Sequence, residues 1–178
     1  MTSLTSLPSS QANFEPGFYY FAYGSCMCPV DLKRSLGEST HAYVVGPATL
    51  EGYRLGFFRR SRLRDCGVLD VVPNPGSMVQ GVLYHLPLRL SPALDLREEG
   101  YCHEVVTVSC SDRAYEQTRT YSVISKLHEE IAPNEWYSSV VMRGAATCGL
   151  PEQYCWELFH HIYSLQRRQS PTSLRRTA

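Results

Sequence analysis

The stretch Phe18-Tyr19-Tyr20-Phe21-Ala22-Tyr23 constrains this chain most, because it is an unbroken aromatic run that stops at Gly24-Ser25. Aromatic side chains favour pleated backbone, and a run with no polar alternation suits a strand buried on both faces. Gly24 permits a sharp turn and Ser25 is a good helix cap, so the run predicts a buried strand, a tight turn and a helix start. Backbone N–H groups left open at such a junction form a cradle for an anion; the plainer reading is a turn and nothing more.

The flanking residues carry the pattern on. Val30, Leu32 and Leu36 fall at helical spacing behind Pro29 and before Gly37, which predicts a short amphipathic helix with a glycine stop. Residues 42–58 read as two strands or one strongly bent one, and 67–72 and 79–86 as a strand pair joined by a turn at Pro73-Asn74-Pro75-Gly76-Ser77. Ser91-Pro92 opens a short helix with Glu98 and Glu99 in its last turn and Gly100 as its stop. Residues 103–110 and 117–124 alternate with period two, as in an antiparallel hairpin, whereas 136–148 and 151–165 are helical, with Leu158, Ile162 and Leu165 beside Trp156 and Phe159. Strands first and helices last indicate an α+β fold, in which about seven short strands close into a small barrel.

Composition narrows the function classes. A chain of 178 residues with 43% hydrophobic and 11% aromatic content supports one sizeable core. The domain expectation is a disordered segment 1–16, a single domain 17–165 and a disordered basic tail 166–178. Lys plus Arg and Asp plus Glu both number 17, so no net field draws in nucleic acid or an anionic membrane. No apolar run reaches membrane-spanning length and residues 1–13 lack a secretion pattern, so the expected location is cytoplasmic. Seven cysteines without a CxxC pair argue for reduced thiols rather than a disulfide framework or a zinc site, and no metal or cofactor motif is present. Arg59, Arg60, Arg62 and Arg64 crowd one short segment, either a solvated loop or a contact for substrate or partner.

The blocks Phe21-Ala22-Tyr23-Gly24-Ser25-Cys26-Met27, Gly67-Val68, Pro75-Gly76, Gly81-Val82-Leu83-Tyr84, Leu94-Asp95 with Glu98-Glu99-Gly100, and Gly149-Leu150-Pro151-Glu152-Gln153-Tyr154 come in an order that resembles the γ-glutamylcyclotransferase-like (AIG2-like) family over residues 18–159. The resemblance implies a small mixed β-barrel flanked by α-helices. It also implies conversion of a γ-glutamyl compound into 5-oxoproline, with release of an amine or amino acid, by a monomer or homodimer acting on a small molecule. The substrate's own α-amino group is then the nucleophile, so no cofactor or metal is needed; what remains is orientation and one proton-transferring carboxylate.

By the same resemblance, Glu99, directly before Gly100, is the acid/base, with Glu98 as competitor. Tyr23, Gly24, Ser25, Cys26 and Met27 form the substrate-binding loop, and Tyr137 is a pocket tyrosine. Cys26 stands where the family carries asparagine, and His103 where it often carries tyrosine, a role Tyr101 can take over. Two other readings stay open. In one, Cys26 is a thiolate nucleophile with His41, His103 or His128 as base, which makes an amidase or acyltransferase. In the other, the chain is a non-catalytic binding or interaction module on the same fold.

Overall fold

The computed structural model describes residues 15–169. Strand β1 (Gly17–Ala22) lies within a closed barrel whose order is β1-β3-β2-β4-β5, with β2 at Val44–Ser61, β3 at Cys66–Pro87, β4 at Tyr101–Cys110 and β5 at Arg113–Val123. All neighbouring pairs are antiparallel except β1 with β5, which closes the barrel in parallel through Tyr20 and Arg119. Helices α1 (Pro29–Leu36), α2 (Ser91–Arg97), α3 (Glu135–Thr147) and α4 (Glu152–Gln169) flank it. The expected mixed barrel with surrounding helices is what the chain forms.

The aromatic run behaves as its composition dictates. Tyr20, Phe21 and Ala22 are buried, and Phe21 packs into a core with Phe57, Val71, Leu83, Tyr84 and Leu86. Truncating Phe21 to alanine is expected to cost about 3–5 kcal/mol, the usual loss for a fully buried phenylalanine. Tyr84 also ties barrel to turn, because its hydroxyl donates to the Met27 carbonyl at 3.0 Å.

Five long strands replace the expected seven short ones. The supposed turn at 73–77 lies inside β3, where Tyr53 pairs with Pro73 and Glu51 with Met78, so Gly52 alone faces four β3 residues. Gly52 and Gly76 have φ of +77° and +84°, which lets both strands bulge outward together instead of ending. Pro75 falls where the ladder is broken, so its missing N–H group costs no pairing. The arginine-rich segment is likewise less loop than expected: Arg59 and Arg60 belong to β2, and only 62–65 turn the hairpin into β3.

Helix ends follow their caps. Gly37 closes α1 at φ 79°, and Asn134 caps α3 by accepting from the Tyr137 amide at 2.8 Å. Ser91 makes no cap; its hydroxyl accepts from Arg119 at 2.7 Å. Helix α4 runs through residues 166–169, where the sequence suggested a disordered tail, and the Gln166 and Gln169 side chains bond the Pro133 and Glu130 carbonyls. Along α4, Leu158, Ile162 and Leu165 are buried while Trp156 and Phe159 face outward. The rest of the expected terminal segments, 1–14 and 170–178, lies outside the described residues. No helix among the described residues is long and apolar enough to cross a membrane.

Candidate active site

A cavity of about 810 Å³ opens at the end of the barrel where β1 stops. Its floor is the Gly24-Ser25 junction. Beyond Tyr23 the chain makes one 3₁₀ turn over Ser25–Met27, with the Met27 amide donating to Gly24 and the Cys28 amide to Ser25. The amides of Ser25 and Cys26, ahead of those bonds, have no hydrogen-bond partner among the described residues. Helix α3 packs onto the turn at Gly144, where a Cβ would come within 2.6 Å of the Cys28 nitrogen, so only glycine allows this approach.

Tyr23, Gly24, Ser25, Cys26 and Tyr137 line the cavity. Met27 does not. It is fully buried, its amide is spent on Gly24, and its carbonyl accepts from Tyr84 and from the Cys148 thiol. Tyr137 is placed by the Asn134 cap, and its hydroxyl accepts from the Leu69 amide at 3.1 Å. Burial pushes its pKa above the usual phenol value, so it stays a neutral hydroxyl. Tyr101, also on the cavity wall, donates to the Leu69 carbonyl at 2.9 Å. His103 itself is exposed on β4, edge-on to Tyr121.

The expectation for Glu99 needs correcting. Helix α2 ends at Arg97, so neither glutamate sits in its last turn; Glu98 is the first residue past it, with φ −90° and ψ 30°. Successive residues at a helix end diverge by about 100°, so one inward carboxylate sends the next outward. Glu98 is the inward one, its side chain 12% exposed, and Oε1 accepts from the Cys26 thiol at 2.9 Å. Glu99 is exposed on the rim, and its backbone carbonyl accepts from Arg59. Gly100, at φ +83°, then turns the chain into β4.

Arg97 is the residue sequence reasoning passed over. Its guanidinium is buried and spread over four partners: Asp31 at 2.6 Å, Ser25 Oγ at 3.0 Å, Cys26 Sγ at 3.1 Å, and Ser35 Oγ. It thereby locks α1, the turn and the end of α2 together, with the matching charge supplied by Asp31, itself buried. The only local signal was an arginine beside Glu98.

Cys26 does not have the surroundings of a nucleophile. Burial, aided by Glu98 and opposed by Arg97, pushes its thiol up to about 12, and no histidine lines the cavity. Asp70, wholly buried below the cavity wall, accepts from the Val123 amide at 2.9 Å and from Lys126 at 2.6 Å, and burial holds its pKa above the usual carboxylate value. Among the described residues no three or more His, Cys, Asp or Glu side chains gather as metal ligands. The seven cysteines are unbridged.

Comparison with known proteins agrees with this architecture. The model of the AIG2-like family matches residues 78–158. YkqA of Bacillus subtilis, provisionally named a gamma-glutamylcyclotransferase, is 32% identical over 153 residues, which are 84% of this chain and 53% of that protein. The gamma-glutamylcyclotransferase of Mus musculus is 26% identical over 143 residues, 77% of this chain and 74% of that one. The crystal structure of YkqA superposes with a TM-score of 0.77 at 31% identity, covering 84% of this chain and 55% of that one. A structure titled gamma-glutamyl cyclotransferase gives a TM-score of 0.73 at 24% identity, over 81% of this chain and 87% of that one, and so shares the fold. This chain spans about half the length of the Bacillus relative. With its barrel, its Tyr-Gly-Ser turn and its Glu98 facing that turn, the chain has the γ-glutamylcyclotransferase-like fold and is similar in sequence to γ-glutamylcyclotransferases and to the AIG2-like family.

Proposed function

We propose that this chain cyclises a γ-glutamyl group to 5-oxoproline and releases the amine or amino acid attached to it, with Glu98 as the proton-transferring residue. The observation that carries the reading is one buried-edge carboxylate turned onto a floor of open amides within the same cavity. A substrate α-carboxylate on the amides of Ser25 and Cys26 would have its α-ammonium directed toward Glu98.

Glu98 takes a proton from the α-ammonium, and the freed amine attacks the γ-carbonyl to form the ring C–N bond. The bond to the leaving nitrogen then breaks as Glu98 returns the proton to it, and the second proton that the ring nitrogen sheds follows through the same carboxylate, so the amine departs as an ammonium. Proton count and charge balance without a co-reactant. Folding a flexible γ-glutamyl chain into this geometry is an entropy problem, and enforced proximity lowers such barriers by up to about 7–11 kcal/mol. A positioned proton-transfer group adds roughly 10²–10⁴ in rate. Tyr23, Tyr101 and Tyr137 supply rigid walls, since their own hydroxyls are committed to backbone partners. The Cys26 thiol, bonded to Glu98, orients the carboxylate rather than attacking anything.

The test is to incubate the protein with γ-glutamyl amino acids and γ-glutamylamines and to measure 5-oxoproline, with Nα-acetylated counterparts alongside. Product from the free amines and none from the acetylated compounds is the expected result, because acetylation removes the nucleophile. Binding without product would favour the non-catalytic module, and turnover of the acetylated compounds would favour a hydrolase.

A further inference from the structure

The rim of the cavity carries charge that the cyclisation chemistry does not use. Arg59, Arg60, Arg62, Arg64 and Arg97 line the cavity, against only Glu98 and Glu99. Five cations and two anions leave a surplus of three positive charges in a chain whose net charge is zero.

The five arginines are not equivalent. Arg97 is used up in the floor. Arg59 lies over the Tyr101 ring at 4.9 Å and bonds the Glu99 carbonyl, and Arg64 lies over Tyr137 at 5.4 Å and Trp136 at 5.6 Å, with Asp31 4.0 Å away. Both serve as wall. Among the described residues Arg60 pairs only with Asp65, at 2.7 Å in an exposed contact, and exposed pairs are cheaply exchanged for another anion. Arg62, exposed at the hairpin tip, has no hydrogen-bond or ion-pair partner among the described residues. Two guanidinium groups are thus free to meet whatever extends from the γ-glutamyl group toward solvent, and a guanidinium fork matches a carboxylate bidentately.

We infer that the leaving portion of the substrate is an acidic amino acid, and that Arg62, with Arg60, reads its carboxylates. The inference rests on the cyclisation reading above and adds the substrate class to it. A leaving amine without a carboxylate leaves both cations unmatched. A neutral amino acid matches one of them, and glutamate or aspartate matches both. The contact is made outside the reacting atoms, so it sets KM more than kcat.

The experiment compares γ-glutamyl-glutamate, γ-glutamyl-alanine and γ-glutamyl-butylamine by steady-state 5-oxoproline formation. Wild-type protein should prefer the glutamate compound over the alanine compound in kcat/KM by at least about tenfold, the combined worth of two partly exposed charge contacts. Arg60→Ala with Arg62→Ala should collapse that preference, chiefly through KM, and Arg62→Lys should keep more of it than Arg62→Ala. Raising the salt to about 0.5 M should also shrink it in wild type, because exposed pairs are screened. Equal handling of the three compounds by wild type, or a preference that survives the double substitution, overturns the inference while leaving cyclisation standing. If no γ-glutamyl compound yields 5-oxoproline, cyclisation falls and this inference with it.

Discussion

The floor and the rim of the cavity are built on opposite principles. At the floor, Arg97, Asp31, Ser25, Cys26 and Glu98 are buried and linked by hydrogen bonds from three separate elements, so each side chain has one place to be. At the rim, Arg60 and Arg62 project from a hairpin tip with one exposed partner between them. A proton-transferring group must be held to a fraction of an ångström, whereas a group that recognises a variable leaving portion gains from freedom to adapt. The contrast implies that floor substitutions act on kcat or stability and rim substitutions on KM.

The sharpest break of that contrast lies at Glu98. Glu98→Gln keeps the shape of the side chain and its contact with Cys26 but cannot carry a proton, so kcat should fall by roughly 10²–10⁴ with KM little changed. Glu99→Gln, on the rim, should change kcat by less than about threefold. Steady-state 5-oxoproline assays of both variants decide the matter; an inactive Glu99 variant beside an active Glu98 one would return the acid/base role to the residue next to Gly100.

Next in size is the lock beneath. Arg97→Met removes the cation from a buried pair and leaves Asp31 with only Arg34 and Arg64, each 4.0 Å away. Breaking buried pairs costs 3–5 kcal/mol, and these residual cations put the expected loss near the low end, about 3 kcal/mol in urea unfolding. If Arg97→Met proves as stable as wild type, the floor is not held in the way described.

Asp70 extends the comparison to pH. Burial raises its folded pKa, with Lys126 and the Val123 amide pulling the other way. The raised value means that Asp70 costs the fold nothing below the unfolded pKa, about 3.9, and costs progressively more as pH climbs through the folded value. Lys126→Met removes the ammonium that offsets this cost. It should therefore be nearly silent at pH 3.5 and destabilise by about 1–3 kcal/mol at pH 7, less than a fully buried pair because Lys126 is 35% exposed. A loss independent of pH would mean that Asp70 is not the group being served.

What could be read from the chain beforehand divides along the same line. The strand of 18–23, the Gly37 stop and the β4–β5 hairpin follow local rules, since periodicity and glycine act over a few residues. Glu98 against Glu99 was decided by where α2 stops: a helix ending one residue later turns both carboxylates by about 100°. Arg97 finds Asp31 across 66 positions of sequence, a pairing that no local pattern announces. Pro73-Asn74-Pro75-Gly76-Ser77 has the composition of a turn and makes a bulge instead, because the partner strand supplies Gly52 opposite it.

The smallest expected effect concerns Cys26, where the sequence left two roles open. With burial pushing its thiol up to about 12, Cys26 stays protonated near neutral pH, which does not suit a working nucleophile. The thiol's position between Arg97 Nε and Glu98 Oε1 makes it a spacer that donates one hydrogen bond to the carboxylate. Cys26→Ala deletes that bond but leaves Glu98 and Arg97 in place, so kcat should drop by less than about tenfold, since a thiol is a weak hydrogen-bond donor. Cys26→Ser, which keeps a donor, should recover part of the loss. Wild-type protein should resist alkylation by iodoacetamide at this position at pH 8, as peptide mass spectrometry can read directly. Loss of more than about 10³ in kcat for Cys26→Ala, or rapid alkylation that ends activity, would make Cys26 a nucleophile and sink the proton-transfer role of Glu98 with it.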